Sequence, residues 1–409
     1  MVKEYKTEIL KNIAETSSGG TPSRENLDYY KGDIPWITTG ELKDGYIFDS
    51  KEHITQEALK NSAAKVFPAG TVLMAMYGAT IGRLGILKID AATNQACCAF
   101  FTNEKILNAK YLFYWLFYHR SELIDMGAGA GQPNISQNII QKLEIDLPTI
   151  QEQTCIVNTL SDIDNLIFTQ ESLIAKKQAL KQGAKQELLT RKRRLAGFTG
   201  KWQVKAFYEL FDILPNNTFP RDKMQNYPGT IGNIHYGDVL IKYGELLDCR
   251  NSEIPYLLDD ITINNPRCFA QSGDVIISDT AEDETVGKVT ELVNVDGCKI
   301  VSGLHTFLCR PKDKDSLALG WLGYYMNAER YHEQILTYVT GIKVSSISKT
   351  NIANTVIEIP AKDEQKAIVD VLKDIDRDIA SQQAKLEKLR RIKSGMMDKL
   401  LTGKIRLTD

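Results

Sequence analysis

Two stretches of the chain share a helical rhythm of apolar positions. Ile368, Leu372, Ile375, Ile379, Gln382, Leu386, Leu389, Lys393, Met396 and Leu400 follow one another at alternating steps of four and three. This is a heptad seam, apolar at eight of its ten positions. Ile156, Leu160, Ile163, Ile167, Gln170, Ile174, Lys177, Lys181, Ala184 and Leu188 carry the same rhythm, weaker in the middle. Each pattern predicts a helix of roughly 40 residues, on the order of 60 Å long. Either stripe would sit in water if its helix stood alone, so the two helices are expected to pair as an intramolecular, antiparallel coiled coil. The segments ahead of them read differently. Short β-rich runs punctuated by Gly and Pro, such as Ile34-Pro35-Trp36-Ile37, Val72-Leu73-Met74-Ala75-Met76 and Val275-Ile276-Ile277-Ser278, predict globular α+β domains.

The rhythm is a repeat. Shifting the chain by 212 residues without a gap aligns Glu152-Gln153 with Glu364-Gln365, Asp162-Ile163-Asp164 with Asp374-Ile375-Asp376, and Leu188-Leu189-Thr190 with Leu400-Leu401-Thr402. From Ile135/Ile347 to Leu195/Leu407, 24 of 61 positions are identical, where ordinary composition gives on the order of 4. The expected order is a domain at 1–148, a helical spacer at 149–200, a second domain at 201–360 and a second spacer at 361–409, related by an internal pseudo-twofold repeat. The helices are alike and the domains have diverged. Gln170 and Gln382 occupy equivalent seam positions, either fixing register at a cost in stability or hydrated near a flexible middle. Gly183 and Gly395 also coincide, which suggests close approach or a bend. Glu152 and Glu364 read either as helix caps favoured by the dipole or as part of a docking surface.

Composition narrows the class. The chain has 409 residues, 43% hydrophobic and 25% charged, enough for two to four domains. The seven cysteines form no Cys-x-x-Cys pattern and read as reduced thiols of an intracellular, cytoplasmic protein. No apolar run approaches the roughly 20 residues that span a bilayer. The five histidines make no zinc motif, no Gly-x-Ser-x-Gly elbow occurs, and no Gly-Lys pair has phosphate-loop spacing. Gly127-Ala128-Gly129-Ala130-Gly131 follows a predicted helix rather than a strand, so it reads as a loop and not a dinucleotide fingerprint. The acidic cluster Asp279, Glu282, Asp283 and Glu284 reads as a solvated loop. The chain is expected to be non-catalytic and to hold no metal or cofactor.

The twice-used Pro-x-x-x-Glu-Gln-x-x-Ile (Pro148 to Ile156, Pro360 to Ile368), the Asp-Ile-Asp that follows, and the closing Leu400-Leu401-Thr402-Gly403-Lys404-Ile405-Arg406-Leu407 resemble the specificity subunit of type I restriction-modification enzymes. Gly19-Gly20-Thr21-Pro22-Ser23, Ile34-Pro35-Trp36-Ile37 and Tyr77-Gly78-Ala79-Thr80-Ile81-Gly82 are similar to segments of that family's target-recognition domains. The first helix departs from the pattern, ending Thr190-Arg191-Lys192-Arg193-Arg194. The resemblance implies two target-recognition domains that each read half of a split, asymmetric site in double-stranded DNA. It further implies helices that dock two methyltransferase subunits, with motor-nuclease subunits joining the complex. S-adenosylmethionine, ATP and Mg are then expected in the partners, with no membrane involved. A coiled-coil scaffold whose globular ends bind proteins is the competing reading, and a stand-alone enzyme would need motifs that are missing.

Charge bears on this. Residues 1–148 hold 15 basic and 17 acidic side chains, and residues 201–360 hold 15 and 21. The spacers are basic, with 8 against 5 and 12 against 9. A protein that binds DNA mainly by neutralising phosphates is basic, so this chain alone is expected to bind DNA weakly. Base edges are read by polar side chains on exposed loops. In the first domain the candidates are Thr21, Ser23, Arg24, Thr38, Thr39, Glu41, Lys43, Tyr77, Arg83, Gln132 and Asn134. In the second they are Arg221, Asn233, His235, Lys242, Tyr243, Thr280, Lys288, His305, Lys343 and Ser345. Arg83 and Lys43 stand out because glycines flank their loops. The aromatic run from Tyr111 to Tyr118 reads as core.

Overall fold

A computed structural model describes residues 5–127, 134–226, 229–341 and 344–408. The chain divides into two compact units, Met1–Ser172 with Ala384–Asp409, and Leu173–Gln383. Both units are α+β.

The first unit is built on a five-stranded sheet of β1 (Ala14–Ser18), β2 (Gly45–Ile47), β3 (Val72–Ala75), β4 (Leu84–Leu87) and β5 (Cys97–Thr102), in the order β1-β5-β3-β4-β2. All neighbours are antiparallel except β2 and β4. The second unit repeats this with β6 (Phe211–Leu214), β7 (Leu246–Asp248), β8 (Val275–Ser278), β9 (Val289–Val293) and β10 (Thr306–Pro311), in the order β6-β10-β8-β9-β7, again parallel only between β7 and β9. Registers match as well: Val72 faces Ile86 as Val275 faces Glu291. In each unit a smaller sheet stands beside the large one, and its strands Ile34–Ile37 and Ala91–Thr93 correspond to Gly232–Ile234 and Ile300–Ser302. The faint similarity of the domain sequences thus conceals one topology used twice.

Helix α1 (Ala109–Tyr118) packs on the first sheet, with Tyr111 through Leu116 all buried, so the aromatic run is core. Its counterpart α2 (Trp321–Met326) is buried along its whole length. The long helices are α3 (Ile150–Leu189) and α4 (Lys362–Leu401), 40 residues each. Among their described residues, every one of the twenty seam positions is buried or half-buried. Within each unit the helix segments run antiparallel. In the first unit Asp164 pairs with Lys393 and Glu171 with Arg390, while in the second Lys177 pairs with Asp378 and Lys181 with Asp376.

The Glu-Gln of the repeated motif joins helix to domain. Gln153 is fully buried, accepts from the Asn108 N–H at 2.8 Å and donates to the Ile106 and Pro148 carbonyls at 2.9 Å. Gln365 repeats the pattern, accepting from Ala318 N–H and donating to the Ser316 and Pro360 carbonyls. Beside Gln153, Glu152 has no exposed surface and receives Arg406 Nε at 2.7 and 2.9 Å, a second guanidinium N–H, and the Leu407 backbone N–H at 3.2 Å. Glu364 receives Arg194 at 2.9 and 2.5 Å. Tyr5 and Trp202 donate to these carboxylates from equivalent places. Glu152 and Glu364 are therefore anions of buried ion pairs rather than helix caps. Burial opposes ionisation of Glu152, but Arg406 and the Leu407 N–H outweigh it and hold its carboxyl below the usual range.

One other expectation changes. A Cβ at Gly183 or Gly395 would meet no atom within 4 Å, so neither glycine answers a close approach. Gln382 donates to Asp378 on its own helix at 3.0 Å. All seven cysteines are free, and no helix among the described residues is long and apolar enough to cross a membrane.

Removing one partner of a buried ion pair strands the other, which costs about 3–5 kcal/mol. Arg406→Ala is therefore expected to lower stability by about 3 kcal/mol in urea unfolding, whereas Arg390→Ala, at a half-exposed pair, should cost less than about 1 kcal/mol. Equal losses would remove the clamp's special role. Glu291 in β9 is fully buried and accepts from the Gly320 and Gly323 N–H groups at 2.7 and 2.8 Å; burial pushes its carboxyl up to about 7. The native state thus keeps this proton to higher pH than the unfolded chain. Its stabilising contribution is full below the ordinary value near 4.5 and is lost as pH rises through about 7. Melting temperatures across that window should decline less for Glu291→Gln than for the wild type, and parallel profiles would reject the assignment.

Candidate nucleic-acid interface

The strand order brings loops far apart in sequence to one rim of each large sheet. In the first unit the chain leaving β3 is held on two sides: Met76 N–H donates to the Ala96 carbonyl at 2.9 Å, and Ile135 N–H donates to the Met76 carbonyl at 2.8 Å. The next residue, Tyr77, bridges Asn134. On the Ala96 side Thr21 hydrogen-bonds Gln95. Thr21, Tyr77 and Asn134 thus meet on one exposed edge together with Gln95. Gly19 and Gly20 lie just before Thr21, and a Cβ there would fall 1.9 Å from the Thr93 carbonyl oxygen and 2.3 Å from Ala63 backbone, so only glycine permits this path.

The second unit builds the same rim with other side chains. Asp279 N–H donates to the His305 carbonyl at 3.1 Å, Ile347 N–H donates to the Asp279 carbonyl at 2.9 Å, and Thr280 pairs with Ser346 and Ala281 with Ser345. His305, half-exposed with φ 55°, stands 3.3 Å from the Asp279 carboxylate. The Thr280 hydroxyl donates to that carboxylate at 2.8 Å. Tyr236 lies between two imidazoles, 4.5 Å from His235 and edge-on to His305 at 5.5 Å. His235, Thr280, His305 and Ser345 therefore gather into one polar patch. Burial lowers the His235 pKa from its ordinary value, so its ring is neutral at physiological pH.

The remaining candidates fall elsewhere. Arg24 is bidentate to Glu52 at 3.2 and 2.7 Å and lies 4.1 Å over the Tyr30 ring. Ser23 is exposed and accepts from Glu25 N–H. Glu41 accepts from Thr38 N–H, the Ser50 hydroxyl and Lys51 N–H at 2.8 to 3.0 Å, which fixes the 3₁₀ turn Thr39–Glu41 and occupies the carboxylate. Lys43 is exposed two residues later. Arg83 reaches Asp44 at 3.0 Å, a carboxylate also held by Arg120 and by Leu84 N–H. Arg221 is bidentate to the buried Asp238 at 2.6 and 3.0 Å, Lys242 stands 3.6 Å from Glu253, and Lys288 donates to the Leu240 carbonyl at 2.7 Å. Asn233 and Tyr243 are not on exposed loops: Asn233 is fully buried in a central strand against Asn217, and the Tyr243 ring is buried. Gln132 and Lys343 lie outside the described residues. Gln95 and Tyr236 escaped the sequence reading, and Asp279 was expected only in a solvated acidic loop; the only signal for Tyr236 was adjacency to His235. Among the described residues no group of His, Cys, Asp and Glu is arranged to hold a metal ion.

A twice-built α+β unit with a divergent polar rim, clamped to paired helices, has a clear likeness. The family model described as the type I restriction modification DNA specificity domain matches residues 2–182 and 200–391. The chain belongs to that family. The MjaVIII specificity subunit of a type I restriction enzyme from Methanocaldococcus jannaschii is 25% identical over 93% of this chain and 91% of its own. The EcoR124I/EcoR124II specificity subunit from Escherichia coli is 28% identical over 40% of this chain and 41% of its own. Among solved structures, a chain from work on complex assembly and conformational transition of the type I R-M system has a TM-score of 0.62 at 19% identity, covering 98% of both chains. The S subunit from M. genitalium gives 0.56 at 13% identity, covering 97% of this chain and 96% of its own. These two share the fold. The protein is a DNA sequence-specificity subunit of a type I restriction-modification system.

Because Asp44 keeps Arg120 and Leu84 when Arg83 is removed, Arg83→Ala should change unfolding stability by less than about 1 kcal/mol. Loss of a base or phosphate contact would show instead as target methylation weakened by the equivalent of about 1–3 kcal/mol of binding. Unchanged methylation at limiting enzyme would take Arg83 off the interface.

Proposed function

We propose that the subunit reads an asymmetric, split duplex target, one half-site with the domain at 1–148 and the other with the domain at 201–360. The spacers at 149–200 and 361–409 dock two methyltransferase subunits, through which motor-nuclease subunits join. The reading is carried by one observation: the two rims occupy equivalent places in strand register yet present different side chains, Tyr77 and Asn134 in one and Thr280, His305 and Ser346 in the other. Equivalent placement suits one duplex groove geometry, and different chemistry suits different bases. The chain does no chemistry of its own; S-adenosylmethionine, ATP and Mg act in the partners, in the cytoplasm. Its acidic domains fit partners that supply much of the phosphate contact.

Long-read detection of methylated bases in host DNA, with the gene present and deleted, tests this. One bipartite, asymmetric motif should lose its adenine methylation on deletion. His305→Ala should then disturb only one half of that motif and Tyr77→Ala only the other. A motif disturbed in the same half by both variants, or no motif lost on deletion, would overturn the division of labour.

A further inference from the structure

We propose that Gln95 is a base-reading residue of the first unit and that the pair it recognises is A·T, through the adenine edge. The inference rests on the reading of the first unit as a recognition domain and deepens it. Gln95 sits in the turn between the strand Ala91–Thr93 and β5, and that turn is pinned. Asn94 N–H donates to the Ile37 carbonyl at 3.0 Å, the Asn94 side chain accepts from Ala96 N–H at 3.2 Å, and the Ala96 carbonyl holds Met76. The backbone beneath Gln95 is therefore fixed while its side chain is exposed.

Its amide is oriented too. The Thr21 hydroxyl donates to Gln95 Oε1, and among the described residues Gln95 Nε2 has no protein partner. This leaves the amide N–H donors and a second oxygen lone pair open on one planar group. That pattern complements adenine, which offers the N7 acceptor next to the N6 amino donor in the major groove. Arg24, three residues beyond Thr21, is already bidentate to Glu52. In the second unit the register-equivalent turn carries Leu304 before His305 and has no amide to offer, so the effect is confined to one half-site.

The test is to map methylated motifs by long-read sequencing in cells whose intact methyltransferase complex carries the wild type, Gln95→Ala or Gln95→Glu, with melting temperatures of the purified subunits compared alongside. Gln95→Ala should keep the second half-site and the spacer but lose discrimination at one A·T position of the first half by roughly 5- to 150-fold, the size of one bidentate base contact. Gln95→Glu, now only an acceptor, should move the preference at that position toward a cytosine, whose N4 donates. Thr21→Val should give a weaker version of the alanine effect. An unchanged motif with unchanged discrimination in Gln95→Ala overturns the inference while leaving the specificity reading intact. Methylation reduced evenly at all sites, or with a lowered melting temperature, also overturns it, because Gln95 would then serve the fold. Absence of any bipartite motif with the wild type removes the reading on which the inference rests.

Discussion

A carboxylate taken out of water must find compensating donors, and Glu152 and Glu364 find theirs on the tail that follows the other long helix. The pairing demands that the start of one helix and the end of its antiparallel neighbour meet at a fixed axial position, since a slip of one residue would leave a charge buried and unpaired. Arginine suits this task because its planar fork reaches both carboxylate oxygens at once, as Arg406 does toward Glu152. The apolar seam alone is less exacting, for heptad stripes tolerate sliding by whole repeats. Charge therefore supplies the register, and the adjacent Gln153 and Gln365 pass it on by stitching each helix to the loop ahead of the buried helix of its domain.

The same logic accounts for how the basic spacers spend their charge. Lys181 and Lys185 grip Glu245, whose carboxyl they pull to about 2 despite its burial, and Lys181 also holds Asp376. Lys393 holds Asp164 in the first unit. Tyr114 and Tyr324 donate to those same two aspartates at 2.7 and 2.6 Å. Cations committed to carboxylates inside the units are not available to phosphates.

The scaffold was largely legible in the sequence because its residues recur at one offset. Seams, helix lengths and the Glu-Gln pair all align at 212, and so do Arg194 with Arg406 and Lys181 with Lys393, although their role as partners emerges only when antiparallel pairing brings them to the carboxylates. Even the departure at the end of the first helix falls into place: Arg191 adopts φ 64° where the second copy has Gly403 at φ 70°. The rims were not legible for the opposite reason. Strand register equates Ala14 with Phe211 and Val72 with Val275, offsets of 197 and 203 rather than 212, so no gapless comparison superimposes the domains. Thr21, Tyr77, Gln95 and Asn134 meet only through the sheet order, and no local spacing announces it.

Those shifting offsets show where the fold permits change. Between the buried Leu42 and the edge-strand residue Tyr46 the first unit uses four steps, whereas the second takes seven from Val239 to Leu246, yet Tyr46 and Leu246 pair with equivalent positions on the neighbouring strand. The three additional residues form part of the turn Asp238–Lys242, where Ile241 is left 89% exposed. An insertion of this kind costs little, because loop-closure entropy grows slowly with length. It leaves strand register unchanged, and Glu245 at the end of that loop still meets Lys181 and Lys185 of the long helix. The two kinds of contact are thus kept apart: the same buried charge and amide contacts join helix to domain in both units, while the rim loops differ between them in length and in side-chain chemistry.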